Sequence, residues 1–489
     1  MGGRHTRGDV MTTAAAPSGL NRRVLTITIG AALGGFLFGF DSSVINGAVS
    51  SLQAEWGLSE ALKGFAVASG LLGCAIGAWF AGALADRWGR IRMMVISAII
   101  FFVSAIGSGL AVGVTDFILW RVFGGLAIGA ASVIAPAYIA EVAPAAYRGR
   151  LGSLQQLAIV LGIFAALLSD QMLQSAADGP ANDLWWGIEA WRWMFIVGVI
   201  PAVIYGVAAM RLPESPRYLA SKGQREQAEK VLAMYTGEPD PKAKVDEILA
   251  TSDGDRGKLS DLRGSSFGLK PIVWTGIILA AFQQFVGINV IFYYSTTLWE
   301  SVGFSSDDAF LTSTITSVTN IVVTIVAIML VDKIGRRRLL LTGSLGMFVT
   351  LALMAVAFST ATLVENADGT QTATMSHTWS LIAFIGANGF VVFFGATWGP
   401  VMWVLLGEMF PNSIRAVALA VAGAANWIAN FIVTITFPSL SEFSLSAAYG
   451  LYALMSLLSF FFVIRRIRET KGVELEAMTD TGTVQKVAA

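Results

Sequence analysis

The chain has 489 residues, 55% of them hydrophobic and 13% charged, and its 33 basic side chains balance 33 acidic ones. Its mean hydropathy is +0.66, a soluble domain carries about 25% charged residues, and apolar runs of the roughly 20 residues needed to cross a bilayer recur throughout. A soluble multidomain enzyme is excluded, and a polytopic membrane protein fits. The one cysteine, Cys74, lies in an apolar run, so no disulfide framework exists and a small core residue is its simplest role. With His5 in a tail and His377 in an expected loop, no zinc site can be assembled.

Residues 1–23 are polar and rich in small side chains, and read as a disordered tail. Their MGGRHT start matches a myristoylation pattern, taken as chance because one acyl chain adds nothing to a protein with many spans. The apolar segment after the tail is too long for a cleavable signal peptide. Spans are expected at about 24–47, 62–85, 93–114, 117–142, 151–174 and 190–210, giving an N-terminal half over 24–210. A second set at about 271–299, 309–331, 338–362, 378–407, 414–438 and 445–464 gives a C-terminal half over 271–465. The polar stretch 211–270 reads as a cytoplasmic linker of short helices, one of them amphipathic over Ser221 to Tyr235. Residues 466–489 form a second tail. Alternate loops are basic (Arg22 and Arg23; Arg87, Arg90 and Arg92; Arg336 to Arg338; Arg465, Arg466 and Arg468) and the others acidic, so both termini and the tails are expected in the cytoplasm.

Two motifs recur at matching places in the two halves. DRWGR (Asp86 to Arg90) follows the second span and DKIGR (Asp332 to Arg336) the eighth. EVAPAAYR (Glu141 to Arg148) ends the fourth and EMFPNSIR (Glu408 to Arg415) the tenth. Gly89 and Gly335 permit a tight turn, and Pro144 and Pro411 end or kink their helices. Charges so placed, Asp86, Arg87, Arg90, Glu141 and Arg148 against Asp332, Arg336, Glu408 and Arg415, could lock the halves together on the cytoplasmic side. Parallel six-span repeats are a transporter architecture with substrate near midplane between the halves.

GGFLFGFDSSVING (Gly34 to Gly47) puts a carboxylate, Asp41, in the outer half of the first span. Arg121 opens the fourth span at similar depth, so the two can meet. An ionisable residue at that depth is costly and marks an ion pathway. The other polar residues inside spans are amides: Gln155, Gln156, Gln283, Gln284, Asn289, Asn320 and Asn426. Amides donate and accept at once, as do the hydroxyls of a neutral polyol, and Trp403 and Trp427 offer flat faces to the C–H side of a ring. Interhelical hydrogen bonding is the plainer account of any one amide. Gln155 lies about 100° from Gln156 on a helix and gets no role. No cation stands at midplane for an organic anion.

Gly82 to Arg90, YIAEVAPAAYRG, PESPR (Pro213 to Arg217), QQFVGIN (Gln283 to Asn289), WGPVMW (Trp398 to Trp403) and ETKGVELE (Glu469 to Glu476) together resemble the sugar porter family of the major facilitator superfamily. The resemblance runs from about Ala31 to Glu476, with Ile91 and Arg468 as departures. It implies an all-α membrane protein, twelve transmembrane helices in two six-helix halves. It implies sugar contacts at Gln156, Gln283, Gln284, Asn289, Asn320, Trp403, Asn426 and Trp427, with Phe38 and Tyr293 lining or gating the site. It also implies that an aspartate at Asp41 carries a proton beside Arg121, where uniporters of the family commonly hold Asn. Ile163, two turns from Gln156 on one helix face, gives the pocket an apolar wall. On this pattern the family favours D-glucose or galactose, with xylose or myo-inositol behind. The expectation is therefore a proton–monosaccharide symporter of the bacterial inner membrane, a monomer partnered by lipid, with no nucleic acid and no cofactor. A transport-dead sensor, a drug exporter and an enzyme are the rivals; the short tail speaks against the first and the amides against the second. No nucleophile–base set or phosphate loop supports the third.

Overall fold

The computed structural model describes residues 22–144, 148–236, 238–252, 259–365, 371–411 and 414–470. The N-terminal half consists of α1 (Arg22–Trp56), α2 (Glu60–Trp88), α3 (Arg90–Gly109), α4 (Val114–Val142), α5 (Arg148–Ala176) and a sixth span broken into α6 (Ala190–Ile196) and α7 (Val199–Met210). The linker holds α8 (Pro216–Ser221), α9 (Arg225–Val231) and α10 (Pro241–Ser252). The seventh span comes in three pieces, α11 (Pro271–Phe285), α12 (Ile288–Tyr293) and α13 (Ser295–Glu300). Then follow α14 (Ser306–Ile334), α15 (Arg336–Ser359), α16 (His377–Phe393), a π-helical turn at Phe394–Trp398, α17 (Gly399–Met409) and α18 (Arg415–Arg466).

Eleven segments of the described residues are long and apolar enough to cross a bilayer. The last of these, within α18, is 50 residues long. At about 1.5 Å per residue it would reach roughly 75 Å, twice the bilayer. Ser444 interrupts it with φ −170° and ψ 114°, dividing it into two stretches that are each long enough for one crossing. Apolar side chains such as Ile76, Trp79, Phe80, Ile99, Leu119 and Ile385 are exposed around the bundle, where lipid replaces water as their solvent.

Within the first half α1 packs on α4 and α5, α2 on α4, and α3 on α4 and α7. In the second, α11 and α15 pack on α18, and α16 on α14 and α15. The halves meet through α2 with α18, α5 with α14, and α1 with α12 and α13. α2 and α4 touch backbone to backbone: a Cβ on Gly73 or Gly77 of α2, or on Gly125 or Gly129 of α4, would collide with main chain of the other. Such small-residue approach is how spans associate without a hydrophobic driving force between them, and it brings Arg121, one turn before Gly125, against Gly70.

Three sequence expectations need correction. The first span runs nine residues past Gly47, to Trp56, because Ser50 and Glu55 find partners on other elements. The linker helix expected over Ser221 to Tyr235 is broken, since Gly223 takes φ +74° and ends α8 before α9 begins. The linker helices share a small core of Leu219, Ala220, Ala228, Leu232 and Val245. His377, expected in a loop, opens α16, and His5 lies outside the described residues.

Candidate functional site

Asp41 and Arg121 meet. Arg121 Nη1 donates to Asp41 Oδ1 at 2.5 Å and Nη2 to the Asp41 carbonyl at 3.3 Å. Asp41 is 7% exposed and Arg121 4%. The guanidinium also lies over the Phe195 ring, 5.7 Å from its centroid. Beside the pair is a cavity of about 10 Å³, room for one water, whose walls include Phe38, Ser42, Cys74 and Tyr293. Tyr293 comes from α12, so the pair faces the second half across this cavity.

Four amides of the second half form one network. Asn426 Nδ2 donates to Gln283 Oε1 (2.7 Å) and to the Ala280 carbonyl (3.0 Å). Gln284 Nε2 donates to Asn426 Oδ1 (3.1 Å) and Gln283 Oε1 (2.9 Å), and Asn289 Nδ2 to Gln284 Oε1 (2.7 Å). The break in the seventh span makes this possible. Gly287 takes φ +87°, a left-handed conformation that favours glycine, and the Tyr452 ring fills the space a side chain would need. α11 therefore stops at Phe285 and α12 restarts at Ile288, turning Asn289 back onto Gln284.

Trp427 meets Phe38 edge to face at 5.4 Å, joining the two halves at the same level. Asn320 is buried on α14, with its amide oxygen beside Gly395 of the π-helical turn. Trp403, on α17 beyond that turn, is 42% exposed. Gln156 and Ile163 are both half-buried on α5. Gln155, given no role, packs against Gly35 of α1.

The repeated charge motifs assemble alike in both halves. Arg90 Nε and Nη2 donate to the two Glu141 oxygens (3.0 and 2.8 Å), and Nη1 reaches Asp86 at 3.1 Å. Arg336 Nε and Nη2 donate to Glu408 in the same bidentate way (3.0 and 2.7 Å). Gly89 and Gly335 share one conformation, φ +97° and +100°, so that α3 and α15 start directly after α2 and α14. Glu214 of PESPR accepts from the amides of Arg90 and Ile91 (3.1 and 3.2 Å), and Glu469 of ETKG from those of Arg336 and Arg337 (2.8 and 3.1 Å). These two glutamates were missed; both stand in quoted motifs, and their shared place after the last span of each half was the available signal. The described ion pairs of both clusters fall inside one half each. The Arg87 carbonyl accepts from Tyr218, and Arg415 Nε donates to the Phe410 carbonyl at 3.1 Å. The side chains of Arg148 and Asp332 lie outside the described residues.

On the opposite face the halves are bonded directly. Thr296 donates to Asn46 through its amide (to Oδ1, 3.1 Å) and its hydroxyl (to the carbonyl, 2.6 Å). Ser50 Oγ donates to Glu300 at 2.9 Å and Gln174 Nε2 to Asp307 at 3.0 Å. That face is closed. Near it lies a buried carboxylate that the sequence reading passed over, Asp170, although the signal that flags Asp41 applies equally to it.

The profile of the family described as "Sugar (and other) transporter" matches residues 27–481. The chain belongs to that family. It is 53% identical to the "Glucose transport protein" of Synechocystis sp. over 458 residues, covering 93% of this chain and 97% of the relative. It is 38% identical to the "D-xylose-proton symporter" of Escherichia coli K12 over 488 residues, covering 93% and 95%. Among solved structures it resembles the inward-open conformation of the E. coli xylose transporter XylE, with TM-score 0.78 and 35% identity over 93% of this chain and 98% of that one. This family member is a multi-pass membrane transporter of sugars, not an enzyme.

Proposed function

We propose that the chain couples the downhill entry of a proton at Asp41 to uptake of a neutral monosaccharide, D-glucose before others, by alternating access. The observation that carries the reading is a buried, closely paired Asp41–Arg121 beside a cavity whose wall includes Tyr293 of the second half. Protonating Asp41 removes the charge that holds Nη1. Arg121 keeps the Asp41 carbonyl and the Phe195 face as partners, which lessens the cost of leaving a buried cation unpaired. The pair is thus breakable by a proton, and the helices that carry it, α1 and α4, can shift. One charge crossing about 150 mV supplies roughly 3.5 kcal/mol, enough to concentrate sugar a few hundredfold.

In this reading Gln156, Gln283, Gln284, Asn289, Asn320 and Asn426 bind sugar hydroxyls. Trp403 and Trp427 receive the ring, Phe38 and Tyr293 gate it, and Ile163 gives the apolar wall that suits a hexose CH₂. With both termini cytoplasmic, the closed face is extracellular. The described Arg90–Glu141 and Arg336–Glu408 pairs lie within their own halves, and closure of the inner face would bring these charges toward the other half. A single chain holds the whole site, in keeping with a monomer. Uptake of labelled glucose into vesicles, challenged with unlabelled galactose, xylose and myo-inositol and repeated with a protonophore, tests this. Glucose should compete best and the protonophore should abolish accumulation. Stronger competition by xylose or inositol would overturn the sugar assignment.

A further inference from the structure

Asp170 of α5 is fully buried, and neither carboxylate oxygen has a hydrogen-bond partner. It packs on Gly47 of α1, where a Cβ would lie 2.9 Å from its Oδ2 and 2.6 Å from the sulfur of Met194 on α6. Among the described residues it makes no ion pair, and Arg121 of α4, which also packs on α5, is committed to Asp41. α1 presents no titratable group there and α6 presents Met194. Arg192, two residues earlier, is committed to Glu55 and Glu189. From α14 the nearest named charge is another carboxylate, Asp307, reached through Gln174.

Two neighbouring amides are held by the closed outer face. Asn46, adjacent to Gly47, has its Oδ1 and carbonyl bound to Thr296, while its Nδ2 is buried with no partner. Gln174, one turn beyond Asp170 on α5, spends its Nε2 on Asp307. Thr296 and Asp307 both belong to the second half. When the halves part on this side they leave: Gln174 Nε2 is released, and the Asn46 side chain, no longer held through its Oδ1, is free to turn its unpartnered Nδ2 toward Asp170.

We propose that Asp170 is a second proton-binding site, distinct from Asp41, which holds a proton while the outer face is closed and releases it as that face opens. An ionised carboxylate without partner or cation is too costly in the closed state, so it is neutral there. In the open state the freed amides of Asn46 and Gln174, with water, donate to the ionised form and favour it. The proton leaves to the outer solution on opening and returns from it on closing, so Asp170 adds no net proton per cycle. Because opening releases a proton, higher external pH favours the open outer face and lower pH the closed one. The proposal does not depend on which sugar is carried or on Asp41.

Two measurements on the full chain in lipid nanodiscs test it. The infrared spectrum at neutral pH, with aspartate carboxyls labelled with ¹³C, should contain a shifted band of a protonated carboxyl that survives in Asp41→Asn and disappears in Asp170→Asn. Hydrogen exchange of α13 and of residues 44–52, corrected for intrinsic rates, should report about tenfold more opening at about pH 8 than at pH 5.5, a ratio set by the gain from a charged over a neutral hydrogen bond. Asp170→Asn should flatten that ratio, and in an Asp41→Asn background, where Asp41 no longer titrates, adding Asp170→Asn should still lower it. A wild-type protein with no protonated aspartate band would overturn the proposal without any variant, and so would an unchanged pH ratio in Asp170→Asn.

Discussion

At the scale of the residue, function rests on polar groups in a medium that penalises them. Gln283 Oε1 accepts from both Asn426 and Gln284. Gln283→Ala should therefore remove a sugar partner and loosen the network that orients the other amides. We expect glucose affinity to fall by about 1–3 kcal/mol, a factor of roughly 5 to 150, read by isothermal titration or by the half-saturation of counterflow. A change under twofold would assign Gln283 to interhelical hydrogen bonding alone. Much of this was legible from sequence, because an amide or carboxylate inside a span stands out against its apolar neighbours. The same contrast should have exposed Asp170. The partners of Glu214 and Glu469 were not legible, since each binds backbone amides, which carry no residue-specific signal.

At the scale of the element, the breaks matter more than the helices. The seventh span has a turn at Gly287 that sets Asn289 against Gln284, and the tenth has a π-helical turn before Pro400 that carries Trp403. Gly287→Ala must hold a side chain at φ +87° and push aside the Tyr452 ring. It should cost about 1–3 kcal/mol of stability and weaken sugar binding together with it, whereas Gly407→Ala, with open space around it, should be neutral. Thermal unfolding in detergent with and without glucose separates the two variants, and equal behaviour would count against a role for the break. Span positions could be read from apolar runs of sufficient length. Their interruptions could not, because one glycine in a left-handed conformation, Gly287 or Gly223, looks in sequence like any other of the 51 glycines.

At the scale of the whole molecule, the described bonds between the two halves lie on one face, and the described ion pairs of each charge cluster on the other face fall within one half. That distribution agrees with the likeness to an inward-open sugar transporter. The internal repeat was visible in the sequence from its paired motifs, but the contacts between halves were not, since they join residues some 250 positions apart, such as Asn46 and Thr296. Removing one such bond should shift the balance. Thr296→Ala loses the hydroxyl bond to Asn46, worth about 0.5–1.5 kcal/mol, so opening of the outer face, read as hydrogen exchange in α13, should rise about two- to tenfold. No change in exchange would mean that Thr296 does not hold the face shut.

The central claim is that protonation of Asp41 links proton entry to sugar entry, and it separates accumulation from exchange. In proteoliposomes with an imposed inward proton gradient, the wild type should accumulate labelled glucose above equilibrium. Asp41→Asn, fixed in the neutral form, should lose all accumulation while retaining glucose counterflow within about tenfold of the wild type. Gradient-driven accumulation that persists in Asp41→Asn would contradict the account.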